Sequence, residues 1–208
     1  MRGLVAVTIM GLLLAACDRG ALVVKQRQRD DALYAKWRAN PQNFEELTAL
    51  QTYLNAKGVG DIIPVRQLVR SDVNWERCNA PPFLVPPRRQ WAHLVPTLRL
   101  LKEDVIPRMG RVEALSVYRS ADINACLHGA PQSSHMAFHA IDMRFVSERP
   151  RAQMIAELCA LHRRIGSKRQ MGLGIYKGDR FHIDTNGYRM WGHDQRGATS
   201  PCHHIGQQ

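Results

Sequence analysis

Ser133-Ser134-His135-Met136-Ala137-Phe138-His139-Ala140-Ile141-Asp142-Met143-Arg144-Phe145 changes character part-way along. From Ala140 onward, small or polar residues alternate with large apolar ones. That is the two-residue period of a strand, and it assigns Ile141, Met143 and Phe145 to a buried face and Asp142 to the opposite, accessible one. A second short run, Arg180-Phe181-His182-Ile183-Asp184, has the same period, so that Phe181 and Ile183 face the core while His182 shares the open side with Asp184. Two neighbouring strands then bring Asp142 and His182 together, and the loop entering the first supplies His135. Two imidazoles and one carboxylate can bind zinc and leave its fourth position for water, the arrangement of a hydrolytic site. Among nine histidines, a His and an Asp seven apart carry little weight alone; their placement on strand faces supplies it.

Helical periods surround these strands. Asn43-Phe44-Glu45-Glu46-Leu47 opens a helix with Leu47, Leu50, Tyr53 and Leu54 in one apolar stripe, ended by Gly58-Val59-Gly60. The stretch from Cys78 to Pro87 is excluded from regular helix by its prolines, which lack amide protons and restrict the residues before them, and reads as a rigid connector. A second helix fits Trp91 to about Val105 with Leu94, Leu98, Leu101 and Val105 in register, Pro96 imposing a late start or a kink. Val112 to Tyr118 reads as a strand leading to Arg119. A third helix runs from Pro150 to about Ile165, burying Met154, Leu158, Leu161 and Ile165 and stopped by Gly166. Helices that precede and separate a small antiparallel sheet make an α+β fold, expected as a single domain carrying the zinc site.

Several ordered motifs resemble one family. Ser133-x-His135 followed by Ala140-x-Asp142, then Phe181-His182-Ile183-Asp184-Thr185, and upstream Val117-Tyr118-Arg119-Ser120 with Asn124 and Gly129-Ala130, are similar to the pattern of the M15 zinc peptidases. These comprise D-alanyl-D-alanine carboxypeptidases, dipeptidases and peptidoglycan endopeptidases. The resemblance covers residues 90 to 192. It departs where Phe138-His139 replaces the Gly-Arg of many members, so that the loop lacks a permissive glycine, and where Asp179 stands three before the last zinc His in place of Glu or His.

The resemblance implies one Zn2+ ion held by His135, Asp142 and His182, with Asp179 as general base. It implies Arg119 on the developing oxyanion or on a substrate carboxylate, Ser133 donating to substrate, and Asp184 orienting His182. The implied substrates are D-amino-acid-containing peptide bonds of peptidoglycan, with carboxypeptidase and endopeptidase action both open. The alternative is a non-catalytic envelope lipoprotein that binds wall peptide through the same fold. His139 is at most pocket-lining.

Arg2 precedes an apolar run from Gly3 to Ala16, too short to span a bilayer, for which about 20 residues are needed. It reads as a signal peptide, and Leu14-Ala15-Ala16-Cys17 resembles a bacterial lipobox that would lipidate Cys17 and anchor the protein on the periplasmic side of the envelope. The segments expected are 1–16 leader, 17–40 tether, 41–88 helical region with connector, and 89–208 zinc-peptidase core with tail. Export leaves Cys78, Cys126, Cys159 and Cys202 in an oxidising compartment, enough for two disulfides in any of three pairings. A net charge of +11 comes from basic residues spread through helices and tether without interleaved stacking aromatics, which argues against nucleic acid. It suits an anionic envelope and the carboxylates of stem peptides. The chain is expected as a monomer.

Overall fold

The computed structural model describes residues 28–205; the leader, Cys17 and the first part of the tether lie outside the described residues. Residues 28–38 are helical, so the described part of the segment read as a tether is a helix. The chain divides into two units, residues 1–43 and 44–208, and the second contains the sheet. No helix among the described residues is long and apolar enough to cross a membrane.

Helix α1 spans Pro41–Ala56. It begins two residues before Asn43 because the Asn40 side-chain oxygen accepts from the N–H groups of Gln42 and Asn43, at 2.9 and 3.3 Å. Leu47, Leu50 and Leu54 are buried as the stripe requires. Helix α2 covers Trp91–Leu100, with Pro96 inside it, widens into a π-helical turn at Leu101–Val105 and closes with Ile106–Met109. It thus runs past Val105. Pro107 has no N–H for the Glu103 carbonyl; the Arg108 guanidinium takes up the Glu103 and Asp104 carbonyls at 3.3 and 2.9 Å. Helix α3 is Ala121–Cys126.

Helix α4 is Arg151–Arg169, continuing beyond Gly166 to a left-handed cap at Gln170. Gly166 is therefore not a stop. A Cβ there would lie 2.7 Å from the Tyr188 ring and 3.1 Å from His162, so the glycine admits a close neighbour instead.

The sheet has five strands, β1 (Val112–Ser116), β2 (Ala140–Phe145), β3 (Gly172–Ile175), β4 (Phe181–Asp184) and β5 (Arg189–Trp191), in the order β1-β2-β4-β3-β5. The domain is α+β, but the sheet is mixed rather than antiparallel: β5 pairs with β3 in parallel, while the other pairs are antiparallel. The reason is topological. The chain leaving β4 reverses at 185–188, finds one edge of β4 taken by β2 and the other by β3, and pairs with the outer edge of β3, the nearer of the two free edges. Strand β4 is thereby central, buried along its whole length.

Ile141, Met143, Leu173, Ile175, Phe181 and Ile183 are buried, with α2 against β2 and α4 against β3. The connector before α2 is extended, joined at Arg70 and Phe83 by a single antiparallel bridge. Two disulfides close the structure. Cys78–Cys126 ties the turn at Trp75–Cys78 to the end of α3, and Cys159–Cys202 ties α4 to the C-terminal turn.

Candidate metal centre

In the β2/β4 ladder Asp142 stands directly opposite His182, the pairing that the strand periods predict. Asp142 and His182 are not on an open face, however: they are 2 and 3 % exposed, covered by Arg119 and by Trp191, whose ring meets the His182 ring edge-on at 4.9 Å. His135 arrives from the preceding loop, where the Ser133 hydroxyl accepts from its N–H at 3.3 Å. That loop turns through Phe138, which adopts a left-handed conformation (φ 59°) while wholly buried. The missing glycine is thus replaced by a strained aromatic.

Three ligand atoms converge. His135 Nε2 lies 3.2 Å from His182 Nδ1 and 3.2 Å from Asp142 Oδ1, and His182 Nδ1 lies 3.0 Å from the same oxygen. Ligands about 2.0–2.1 Å from a tetrahedral zinc are about 3.3 Å apart, so the triangle is close to the spacing of three such ligands. The far side of each ligand is anchored as well. His135 Nδ1 is 2.7 Å from the Val117 carbonyl, which makes it the protonated nitrogen and leaves Nε2 a lone pair. His182 Nε2 donates to Asp184 Oδ2 at 2.7 Å, which points the Nδ1 lone pair at the cluster. Asp142 Oδ2 accepts from Arg119, whose Nε donates to Ser116 and whose Nη2 also reaches Asp72.

Asp184 is itself gripped by two Arg189 contacts, at 2.7 and 3.1 Å, and by the Asn186 N–H at 2.8 Å. His135, Asp142 and His182 form the group among the described residues that could hold a metal ion.

The electrostatics follow the contacts. Burial, reinforced by Arg119, pushes His135 below its ordinary value. Burial also opposes the charged form of His182, but its hydrogen bonds to Asp142 and Asp184 outweigh that and raise it. For Asp142 the burial penalty is overcome by His135 and Arg119, which hold the carboxyl well below the usual range. Asp184 falls to about 2, His182 and Arg189 overcoming burial. Burial and the nearby Asp142 push the Tyr176 phenol up, so it remains a neutral donor.

The cluster forms part of the lining of a cleft of about 690 Å³, a size that admits a short peptide. Ser133 and Arg119 line it, and Asp184 lies behind His182. Asp179 is not brought to the cluster: it sits exposed in the β3–β4 turn, outside the cleft lining. Arg119 is engaged by Asp142, Asp72 and Ser116, which makes it a brace for the ligand carboxylate.

Sequence reasoning did not single out Trp191, Arg189, Tyr176 or the glycines of β3. Gly172 faces Asp184 and Gly174 faces His182 across the ladder. A Cβ at Gly174 would lie 2.6 Å from the Trp191 indole, and one at Gly172 would lie 2.6 Å from Asp184. Gly172-Leu173-Gly174 was the available signal, since glycine at alternate positions of a strand marks a close approach on one face.

Fold and site together define an α+β domain with a buried His-Asp-His cluster on the floor of an open cleft. Scans against protein-family models, curated proteins and solved structures find no match to the chain.

Proposed function

We propose that this protein is a zinc-dependent peptidase that hydrolyses D-amino-acid-containing peptide bonds of peptidoglycan, held at the bacterial envelope by a lipid on Cys17. The observation that supports it best is the triangle of His135, Asp142 and His182 atoms, each ligand anchored from behind, at the floor of a peptide-sized cleft. The reading of zinc rests on two imidazoles and one carboxylate at tetrahedral spacing in the lining of the cleft. The substrate class rests on the M15 resemblance of the motifs and on the basic cleft. Zinc bound there would acidify a water and polarise the scissile carbonyl.

The chain's own groups do the rest. Asp184 holds the His182 ring in the ligating tautomer, Arg119 holds Asp142 in its ligating orientation, and Tyr176 offers a neutral hydroxyl to the cleft. One observation favours the second reading, a lipoprotein that binds wall peptide without cutting it. Among the described residues, the carboxylates lining the cleft are Asp72 and Asp142, and Arg119 engages both, so those residues offer the cleft no free carboxylate base.

Digestion of cross-linked muropeptides by the zinc-loaded protein, with and without chelator and read by mass spectrometry, separates the two. Chelator-sensitive product supports the peptidase. Intact muropeptides from protein carrying one equivalent of zinc would leave the binding reading.

A further inference from the structure

Arg180 begins the chain's entry into β4, and its side chain is 32 % exposed, with Nη2 lying 3.9 Å from Asp142 Oδ2. That is too long for a hydrogen bond, and the oxygen is already taken by Arg119. The Arg180 Nε is buried without a partner, although buried polar groups are ordinarily paired and leaving one unpaired is costly. Its neighbours differ. Arg119 is engaged by Ser116, Asp72 and Asp142, and Arg189 by Asp184, Ser134 and backbone carbonyls. Of the guanidiniums beside the ligand triangle, Arg180 is the one that donates no hydrogen bond among the described residues.

We propose that Arg180 is the specificity-determining residue of this cleft, binding the free carboxylate of a substrate residue immediately beyond the scissile bond. The proposal rests on the peptidase reading and deepens it, assigning carboxypeptidase rather than endopeptidase action. A planar carboxylate accepts from Nε and one terminal nitrogen together, which satisfies the orphaned donor with the geometry a guanidinium favours. The position fits as well. Arg180 lines the same cleft as His135, Asp142 and His182, with its Nη2 3.9 Å from the Asp142 oxygen that faces away from the triangle. Both lining carboxylates are engaged by Arg119, and with Arg77, Lys177 and Arg180 also in the lining the cleft carries an excess of basic groups.

The test compares a tripeptide ending in D-Ala-D-Ala with the same tripeptide as its C-terminal amide, on the zinc-loaded protein. Binding is read by calorimetry and turnover by mass spectrometry. Wild type is expected to favour the acid by about 30-fold or more, the scale of charged, bidentate hydrogen bonds. In Arg180→Met the acid-to-amide ratio should fall toward one, and Arg180→Lys should keep part of it; zinc content and melting temperature of each variant check that the centre is intact. Wild type that binds neither peptide or both alike, or an Arg180→Met protein that keeps the ratio, overturns the proposal. Preferential binding of the acid without turnover of either peptide would retain Arg180's role and remove the peptidase reading. Turnover of both at one rate would do the reverse.

Discussion

Phe138 holds a backbone conformation that costs a residue with a side chain about 1–2 kcal/mol, and it holds it because its ring is buried with Tyr118 edge-on at 6.4 Å. Phe138→Gly relieves the strain but empties the site, for which losses of about 3–5 kcal/mol are usual, so a net destabilisation of about 1–4 kcal/mol is expected. Phe138→Ala keeps the strain and should be about 1 kcal/mol worse than the glycine variant in urea titrations; equal values would show that the ring costs no backbone strain. Asp184 acts through His182. Asp184→Asn is expected to weaken zinc binding about 10–100-fold in chelator competition, leaving the three ligands in place.

Protonation at the same residues sets the pH response. His182 is raised in the metal-free protein and must lose its proton to ligate, so zinc affinity should climb as pH rises through its titration. His162 is lowered by burial, so the unfolded chain takes up a proton below about 6.5 that the fold resists. The His162 contribution to metal-free stability should therefore fall as pH drops below that value, with the lowered His135 acting in the same sense and the raised His182 opposing it. A further loss should follow between about 3.9, the unfolded Asp value, and the value of about 2 held by Asp184. Denaturation midpoints measured from about pH 8 to about pH 2 check the sign.

At the level of elements, β3 contributes by what it lacks. Gly174→Ala would push the Trp191 indole off its seat beside His182, and zinc affinity should fall several-fold although no ligand is changed; Leu173→Val on the opposite face should leave it alone. The same strand shows how far the sequence can be read. The alternation in β2 and β4 was legible, and with it the meeting of Asp142 and His182, because a period of two assigns faces without knowledge of neighbours. Pairing partners are a different matter. Three residues, Arg189–Trp191, carry no period, and their parallel alignment depends on which edge of the sheet remains open. Gly166 looks like a stop by composition and is a contact by packing. Asp179 was placed by motif spacing alone. Three is an odd separation, which on a strand points to the opposite face from His182, and β4 begins only at Phe181, so the residue falls on the exposed turn.

For the molecule as a whole, a ligand that binds only the native state stabilises by mass action. Zinc at a thousand times its dissociation constant should add about 4 kcal/mol, visible as a raised melting temperature that chelator reverses. Each disulfide closes a loop of more than forty residues, with separations of 48 and 43, worth about 4 kcal/mol in the chain-entropy model. Cys78→Ser with Cys126→Ser should therefore cost several kcal/mol and loosen the cleft wall, since Arg77 and Cys126 both line it.

The bridges also join cysteines that follow one another along the chain, first to second and third to fourth, once Cys17 is set aside. A polypeptide threaded across a membrane from its N-terminus delivers each thiol's partner before any competitor arrives. An oxidant that couples thiols in order of emergence thus reaches the native set with no reshuffling. Acylation of Cys17, on the lipoprotein reading, would remove the one thiol that would otherwise stand first in that queue and capture Cys78.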